Sequence, residues 1–375
     1  MSRLTSPQVD ALITLSKDIH AHPELAYQER HALDAIAALL GREGHEVERG
    51  VGGLETAFRA RVGPKGGKTV ALLAEYDALP DVGHGCGHNL IAISNVGAFL
   101  VAASAKTLDV AVELLGTPAE ENGGGKIDLI DAGAFDQVCA VLSSHPAAQG
   151  AWGVGGSCLG VVEKRVTYHG VASHAAASPE RGRNALNAVI RLFTGIDGWR
   201  QHLDGTSRVH GIISNGGQAA NVIPSRAEAI IGLRAQEKKT LDEMVERFVD
   251  IAEGAAMLTG TTVDIAEYLR YYEPLRPNDV VGDALAEELA RLGVAAPRGV
   301  LTTASTDLGN VSQRVPTDAV RFPVSETPIA GHSDAMREAS ATDLAHRNAL
   351  ITAEALGATA VRIATDKTLR ERIAR

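Results

Sequence analysis

Val70-Ala71-Leu72-Leu73-Ala74-Glu75-Tyr76-Asp77 decides the fold of this chain, because an apolar run ends in acidic residues and Pro80 follows soon after. A short apolar run that stops at a turn signal predicts a buried strand. The segment His84-Gly85-Cys86-Gly87-His88-Asn89 comes next and places a thiol and an imidazole just past that strand. In open α/β sheets, ligands bind at this edge. We therefore expect an α/β fold with a doubly wound, mostly parallel catalytic sheet and a site beyond the strand ends.

Two later segments repeat this arrangement. The apolar run at residues 110–115 stops at a Gly-Thr-Pro turn, and Glu120 and Glu121 follow. A third run at residues 138–142 leads to His145. Neighbouring strands of a parallel sheet lie about 4.8 Å apart, so the loops at their carboxyl ends can converge on one point. Thiolate, imidazole and carboxylate groups are thus expected to meet at one edge of the sheet.

This combination of donor groups indicates a metal site. Cysteine, histidine and carboxylate ligands suit zinc, manganese, cobalt or nickel, whereas calcium and magnesium require oxygen donors. Adjacent glutamates in an extended chain point to opposite sides, so one can hold a metal while the other acts as a general base. Each piece alone has an ordinary explanation, such as a solvated Glu-Glu pair, an exposed histidine before proline, or a buried thiol beside a satisfied histidine. Their joint placement after three predicted strands favours the metal site.

Seven motifs along the chain carry a family resemblance. They are, in order, Asp18-Ile19-His20-Ala21-His22-Pro23-Glu24, Ala74-Glu75-Tyr76-Asp77-Ala78-Leu79-Pro80, His84-Gly85-Cys86-Gly87-His88, Gly116-Thr117-Pro118-Ala119-Glu120-Glu121, Gly170-Val171-Ala172-Ser173-His174-Ala175, Asn221-Val222-Ile223-Pro224 and Gly331-His332-Ser333. Over nearly its whole length the chain resembles the dimetal amidohydrolase and aminoacylase metallopeptidases, which include hippurate hydrolase, aminobenzoyl-glutamate hydrolase and the indole-acetyl-amino-acid hydrolases. Tyr76 and Asn89 are more similar to the branch with the β-alanyl-lysine dipeptidase.

The resemblance implies two divalent metal ions per subunit, with zinc or manganese favoured and cobalt or nickel as alternatives. Cys86 would bridge the two ions. His88 and His145 would complete one site, and Glu121 and His332 the other. The shared thiolate implies that both ions depend on a single side chain.

The resemblance also implies roles in catalysis and substrate binding. Glu120 would be the general base, and Asp77 would accept a hydrogen bond from a metal-bound histidine and so fix its tautomer. His174 and Asn221 would come from a lid domain and polarise the scissile carbonyl. Arg234 would lie near the substrate carboxylate or the tetrahedral oxyanion. His84 receives no role and is expected to pack within its loop.

The order of predicted elements indicates an inserted domain. Strand and helix alternate up to about residue 156, as in a doubly wound sheet. The segment that follows predicts a strand at 159–169, a helix at 183–202, a hairpin around 215–217, a strand at 227–235, a helix at 239–257 and a strand at 262–271. This βαββαβ order is ferredoxin-like. Because His332 must return to the metals, residues 1–158 and 275–375 should form the dimetal catalytic domain, and residues 159–274 a lid and dimerisation domain.

Composition narrows the possible partners and the compartment. The 375 residues carry a net charge of −10, which disfavours nucleic acid and anionic membranes. Three irregularly spaced cysteines and a start without an apolar signal core indicate a cytoplasmic protein. The apolar stretch at residues 90–103 is shorter than a membrane span and predicts a buried crossover helix. The insert provides a surface for a possible homodimer.

We expect a metal-dependent hydrolase that cleaves an amide bond in an N-acyl amino acid or related small amide. A metal-activated water would attack the carbonyl while Glu120 takes its proton and returns it to the leaving amine. A dipeptidase for β-alanyl or similar dipeptides, using the same machinery, is the alternative. A non-catalytic small-molecule-binding protein would have no chemical need for Glu120. A thiol enzyme centred on Cys86 would stay active in the presence of chelators.

Overall fold

The computed structural model describes residues 3–148, 150–299 and 301–375. These residues form two compact units. The first contains the chain up to Ser157 together with Leu275–Thr302 and Thr306–Arg375. The second contains Cys158–Pro274 and the short segment Thr303–Ser305.

The bounds of the elements are as follows. The helices are α1 (Ser6–Ala21), α2 (Arg30–Arg42), α3 (His88–Ala103), α4 (Gly125–Asp131), α5 (Ala185–Arg200), α6 (Lys238–Thr259), α7 (Asp279–Arg291), α8 (Leu308–Ser312), α9 (Asp334–Ala339), α10 (Asp343–Thr365) and α11 (Lys367–Ile373). The strands are β1 (Glu48–Arg49), β2 (Phe58–Val62), β3 (Thr69–Ala74), β4 (Ala111–Gly116), β5 (Val138–Ala147), β6 (Ser157–Cys158), β7 (Gly160–His169), β8 (Ser173–His174), β9 (Arg208–Asn215), β10 (Val222–Ile223), β11 (Arg226–Ala235), β12 (Thr262–Tyr272), β13 (Leu301–Thr302) and β14 (Thr317–Pro323).

The first unit is built on a six-stranded sheet with the order β1-β2-β4-β3-β5-β14. Strands β4, β3, β5 and β14 run parallel, and β2 and β1 continue the sheet in antiparallel pairing. Val70, Leu72 and Ala74 of β3 pack in a core with α1, α2, α3, α7 and α10, whereas Ala71 and Leu73 pack on the opposite face with α4 and α8. Because side chains alternate along a strand, helices on both faces explain the unbroken apolar run. The mixed α/β class predicted from the sequence is confirmed.

Helix α3 brings the end of β3 back across the sheet. Its residues from His88 to Ala102 are all buried, as expected for the apolar segment predicted to be a buried crossover helix. The helix begins directly after Gly87, whose φ is 79°. A Cβ at this glycine would lie 2.9 Å from Pro146 Cγ, so both the left-handed backbone and the close approach require glycine. Gly87 thus fixes the start of α3, and His88 is the first residue of that helix.

The second unit is a four-stranded antiparallel sheet with the order β12-β7-β11-β9. Helices α5 and α6 pack on one face through a core that includes Val166, Val189, Ile231 and Phe248. This is the βαββαβ order that the sequence indicates. Strands β9 and β11 pair antiparallel from Asn215 and Glu228, as the predicted hairpin requires, but their connection is long and contains β10, which pairs with β8.

The length and apolar character of each helix bear on membrane insertion. Among residues 3–148, 150–299 and 301–375, none of the helices has both the length and the apolar composition required to cross a bilayer.

Candidate metal centre

Cys86 belongs to two sets of possible metal ligands beyond the ends of the parallel strands. In the first set, Cys86, His88 and His145 each offer one ligand atom, and these atoms lie within 4.8 Å of one another. In the second set, one ligand atom each of Cys86, Glu121 and His332 likewise lies within 4.8 Å of the other two. Cys86 Sγ lies 3.4 Å from His145 Nε2, and Glu121 Oε2 lies 3.6 Å from His332 Nε2. A thiolate shared by two ligand sets has the position that a bridging ligand between two ions requires.

Different elements supply these side chains. His88 stands in the first turn of α3, and His145 lies within β5, two residues before that strand ends. His332 comes from the loop before α9, where its amide donates a 3.0 Å hydrogen bond to Gly85 O and ties the late segment to the Cys86 loop. His332 adopts a left-handed backbone with φ of 54°, an uncommon conformation for a residue other than glycine. Its position was accessible to sequence analysis only through the Gly-His-Ser motif.

A third set joins Glu75, His88 and Glu120, again with ligand atoms within 4.8 Å. His88 Nε2 lies 3.9 Å from Glu120 Oε2 and 3.7 Å from Glu75 Oε2. His88 Nε2 is also 3.7 Å from Glu121 Oε1. Three carboxylates therefore surround one imidazole nitrogen at distances too long for hydrogen bonds.

Several buried polar atoms face this cluster without a hydrogen-bond partner among the described residues, namely His88 Nε2, Glu75 Oε2 and Glu121 Oε1. Buried polar groups are normally paired, because an unpaired group loses its hydration without compensation. Divalent cations would satisfy these atoms. The sulfur, imidazole and carboxylate donors fit zinc or manganese by their chemistry. The residues present thus fit a two-metal centre.

Asp77 lies behind His88 on the side away from the cluster. Its Oδ1 is 2.8 Å from His88 Nδ1, and its Oδ2 accepts a 2.9 Å hydrogen bond from the Glu121 amide. Burial alone would raise the pKa of Asp77, but the His88 imidazole and these hydrogen bonds hold it below its usual value. An ionised Asp77 keeps the proton of His88 on Nδ1 and leaves Nε2 free to bind a metal.

The backbone around the two glutamates differs from the extended chain assumed in the sequence argument. Glu120 and Glu121 lie in a turn that follows Ala119, whose φ is 60°. The turn returns through Gly123, with φ of 141°, where a Cβ would lie 2.4 Å from the Tyr27 ring. Helix α4 then begins at Gly125. The turn directs both carboxylates toward His88.

Burial changes the proton affinities of the cluster. Burial and the neighbouring Glu75 raise the pKa of Glu120 well above its usual value. Burial and Glu121 likewise raise the pKa of Cys86, and burial lowers the pKa of His145 to about 4. Cations bound at this place would reverse the effect on the thiol, because a coordinating thiol is deprotonated.

Sequence analysis missed the charged residues beside Glu120. Lys126, at the start of α4, is fully buried, and its Nζ lies 2.6 Å from Asp307 Oδ1 and 2.8 Å from Glu75 Oε1. Burial alone lowers the pKa of Lys126, but Asp307 and Glu75 raise it above its usual range. The only signal in the sequence was a lysine directly after three glycines. Asp307 carried none, because its proximity arises from a segment distant in the chain.

The predicted residues of the second unit fall into two places. His174 in β8 pairs with Val222 of β10, and the Ala175 amide donates to Asn221 O at 2.9 Å, so His174 and Asn221 lie side by side. Strand β10 leads directly into the start of β11. Arg234 lies near the end of β11 and donates a hydrogen bond to Ser305 Oγ at 2.9 Å. The eight steps along β11 from Arg226 to Arg234 span about 26 Å at the usual rise per residue. Within its own unit, Arg234 is therefore far from the other two.

His84 lies among the ligand loops but outside every set of possible ligands that the described residues form. It is buried, and its ring stacks on His20 with 6.1 Å between ring centroids. Burial lowers the pKa of His84 to about 3. A neutral ring packed within its loop agrees with the expectation for this residue.

Comparison with known proteins places the chain in a family. Residues 159–257 match the family model described as the peptidase dimerisation domain of M20. The chain is 40% identical to the Xaa-Arg dipeptidase of Mus musculus over 372 residues, which cover 94% of this chain and 85% of that protein. The chain belongs to the M20 peptidase family. The predicted family, the metal-dependent amide hydrolase activity and the assignment as an enzyme are thereby confirmed.

Other relatives agree with this assignment. A p-aminobenzoyl-glutamate hydrolase subunit of Escherichia coli strain K12 is 34% identical over 303 residues, covering 74% of this chain and 62% of that protein. The solved structure of a Bacillus subtilis dinuclear metal binding peptidase from the M20 family matches with a TM-score of 0.76 at 22% identity, covering 96% of this chain and 99% of the other. This structural likeness supports the fold.

Proposed function

We propose that this M20 member hydrolyses the amide bond of a dipeptide or an N-acyl amino acid at a centre of two divalent ions. Cys86 would serve both ions, with His88 and His145 at one and Glu121 and His332 at the other. The observation that carries the proposal is the position of Cys86 in two ligand sets that each contain a histidine. Zinc or manganese suits these mixed donors best, and cobalt or nickel is the alternative.

The residues of this chain divide the chemical work. When bound, the two ions would acidify a water molecule and polarise the amide carbonyl. Glu120 would accept the proton of the attacking water as its oxygen bonds to the carbonyl carbon, and would donate that proton to nitrogen as the C–N bond breaks. The raised pKa of Glu120 supports its role as a group that both takes up and returns a proton. Asp77 would hold His88 in the required tautomer.

Residues 159–274 would form a lid and dimerisation domain, and residues 1–158 and 275–375 the dimetal catalytic domain. His174 and Asn221 would polarise the scissile carbonyl, and Arg234 would bind the substrate carboxylate or the oxyanion. The separation of Arg234 from His174 along β11 supports a site in which one subunit supplies Arg234 and its partner supplies His174 and Asn221.

A homodimer through this unit is part of the proposal. Strand β9 is an edge of the four-stranded sheet, and Ile212 and Ile213 on it are 61% and 46% exposed. Met257 and Leu258 at the end of α6 are also exposed. Exposed apolar residues along a sheet edge favour pairing with a second chain.

The cysteines bear on the compartment. Cys86 and Cys139 are present as thiols rather than in a disulfide. Reduced thiols are typical of the cytosol, so they support the proposal of a cytoplasmic setting.

The relatives guide the choice of substrates. The mouse relative is an Xaa-Arg dipeptidase, and the Bacillus subtilis strain 168 relative, at 25% identity, is an N-acetylcysteine deacetylase. We propose dipeptides with a basic carboxyl-terminal residue as the first class and N-acyl amino acids as the second. A free amino group on the substrate separates the classes, because an N-acyl hydrolase site need not accommodate a cation there.

One experiment tests both the chemistry and the class. Purified protein is analysed for metal content and then assayed with β-alanyl-lysine, alanyl-arginine, hippurate and N-acetylcysteine, before and after chelation. We expect about two ions per chain, chelator-sensitive hydrolysis, and the highest kcat/KM with the dipeptides. Highest kcat/KM with hippurate or N-acetylcysteine would favour the N-acyl class instead. Activity that survives complete metal removal would contradict the two-metal proposal and point to Cys86 as a nucleophile.

A further inference from the structure

A separate cluster of possible metal ligands lies where helix α1 ends and helix α2 begins. Asp18 stands in the last turn of α1, His22 follows that helix directly, and His31 stands in the first turn of α2. One ligand atom of each lies within 4.8 Å of the other two. The cluster shares no residue with the sets around Cys86 and takes no part in the proposed hydrolysis.

Each histidine lies as close to one of the two Asp18 carboxylate oxygens as neighbouring ligands of one ion do to each other. Asp18 Oδ1 lies 3.2 Å from His22 Nδ1, and Asp18 Oδ2 lies 3.0 Å from His31 Nε2. Tetrahedral zinc with bonds of 2.0–2.1 Å holds neighbouring ligand atoms about 3.3 Å apart. His22 Nδ1 also lies 2.9 Å from the Asp18 carbonyl oxygen, a hydrogen bond that the ion would replace. An ion could thus take the place of the shared protons with little movement of the side chains.

The surroundings hold the two histidines in place. Glu24 accepts hydrogen bonds from the amides of His31 at 2.9 Å and Ala32 at 3.0 Å, which fixes the start of α2. The His22 and His31 rings lie 4.2 Å apart between centroids. The side chains of Asp18, His22 and His31 are 38%, 55% and 41% exposed, so an ion can reach them from solvent.

We propose that Asp18, His22 and His31 form an additional binding site for a divalent transition ion, with zinc as the best match. Imidazole and carboxylate are ordinary zinc ligands, and solvent would complete the coordination. The ion would join the end of α1 to the start of α2 and so close the turn between them.

This turn contacts the loop that carries Glu120, which gives the site a structural consequence. Glu29 at the end of the turn accepts a 2.8 Å hydrogen bond from the Ala119 amide, and the Tyr27 ring packs against Gly123. Tyr27 also donates to Asp128 of α4 at 2.6 Å. An ion that stabilises the turn would therefore support the backbone before and after Glu120.

Zinc counting tests the site. Wild-type protein and His31→Ala are dialysed to equilibrium against buffered micromolar free Zn²⁺, and bound zinc per chain is measured. We expect His31→Ala to bind about one equivalent less. The matched control is His169→Ala, which removes an exposed histidine paired with Asp264 at 2.9 Å. Equal zinc in wild type and His31→Ala, or an equal loss in His169→Ala, would overturn the proposal.

Two further variants make the result independent of folding and of the metal centre. His31→Gln retains a polar side chain beside Asp18, and it should lose the same equivalent while melting like wild type in chelator. In a Cys86→Ala background, the equivalent that depends on His31 should persist. Its disappearance in that background would assign the zinc to the Cys86 centre instead. Added zinc should raise Tm less in Cys86→Ala/His31→Gln than in Cys86→Ala alone, because only the latter can bind the ion that joins α1 to α2.

Discussion

Replacement of Lys126 by methionine should destabilise the first unit strongly, even in metal-free protein. Lys126 is fully buried, and Asp307 and Glu75, at 2.6 and 2.8 Å from its Nζ, are almost fully buried as well. Removing one partner of a buried ion pair leaves an uncompensated charge and costs about 3–5 kcal/mol. We expect a loss of about that size in the free energy of unfolding at neutral pH, measured by urea denaturation with circular dichroism.

The pH dependence of this loss provides a second measurement. Burial raises the pKa of Asp307 to about 6, even with Lys126 beside it. Without Lys126 that pKa should rise further. The cost of ionising such an acid is fully present above its folded-state pKa, shrinks as the pH falls below that value, and vanishes below the unfolded-state pKa. The difference between variant and wild type should therefore be largest above pH 7 and should shrink as the pH falls toward 5.

Two controls isolate the buried pair. Lys367→Met in α11 removes an exposed lysine 3.8 Å from Glu371, and such surface pairs contribute about 0–1 kcal/mol. Lys126→Met/Asp307→Asn removes one buried charge with its partner and should recover part of the loss. If Lys126→Met costs no more than Lys367→Met, or if its cost does not vary with pH, the electrostatic reasoning is wrong.

Three further predictions concern the proposed centre. Cys86→Ala should lower bound metal by more than one equivalent, because the thiolate serves both ions. Metal analysis that still finds two ions at the centre would show that Cys86 is not a bridging ligand. Glu120→Gln should keep its metals but lose on the order of 10²-fold or more in turnover, whereas Glu121→Gln should lose metal; the reverse metal contents would exchange their roles. His174→Ala should retain metals and fold yet lose roughly 10²-fold in turnover, and near-normal rates in the metal-loaded variant would make it a packing residue. Mixing His174→Ala with Glu120→Gln should restore activity if the histidine acts across the dimer, while no recovery in subunits shown to exchange would place it in its own chain's site.

Local pattern predicted much of the first unit. The apolar runs at β3, β4 and β5 are continuous because helices cover both faces of the sheet, and continuity is visible in a sequence without knowledge of the partners. The possible ligands Cys86, His88, Glu121 and His145 were visible from their residue types, because each follows or ends one of these apolar runs. The helical and strand periods of the second unit also gave its βαββαβ order.

Contacts between distant segments were decided only by the tertiary structure. The turn at Glu120 depends on Ala119 in a left-handed conformation and on Glu29, which comes from the start of α2. Lys126 and Asp307 are 181 residues apart, and no local pattern records such a pair. The same applies to His22 and His31, which meet because two helices turn back on each other.

The sequence by itself determined the fold class and the order of elements, because these depend on short-range periodicity. It also indicated possible ligands through residue chemistry and, for His332, through a motif shared with a known family. The tertiary structure decided which atoms meet, which carboxylates pair with a cationic side chain and which polar atoms remain without a hydrogen bond. Distances and burial arise from packing across the whole chain, and the pKa values of groups such as Glu120 follow from that packing.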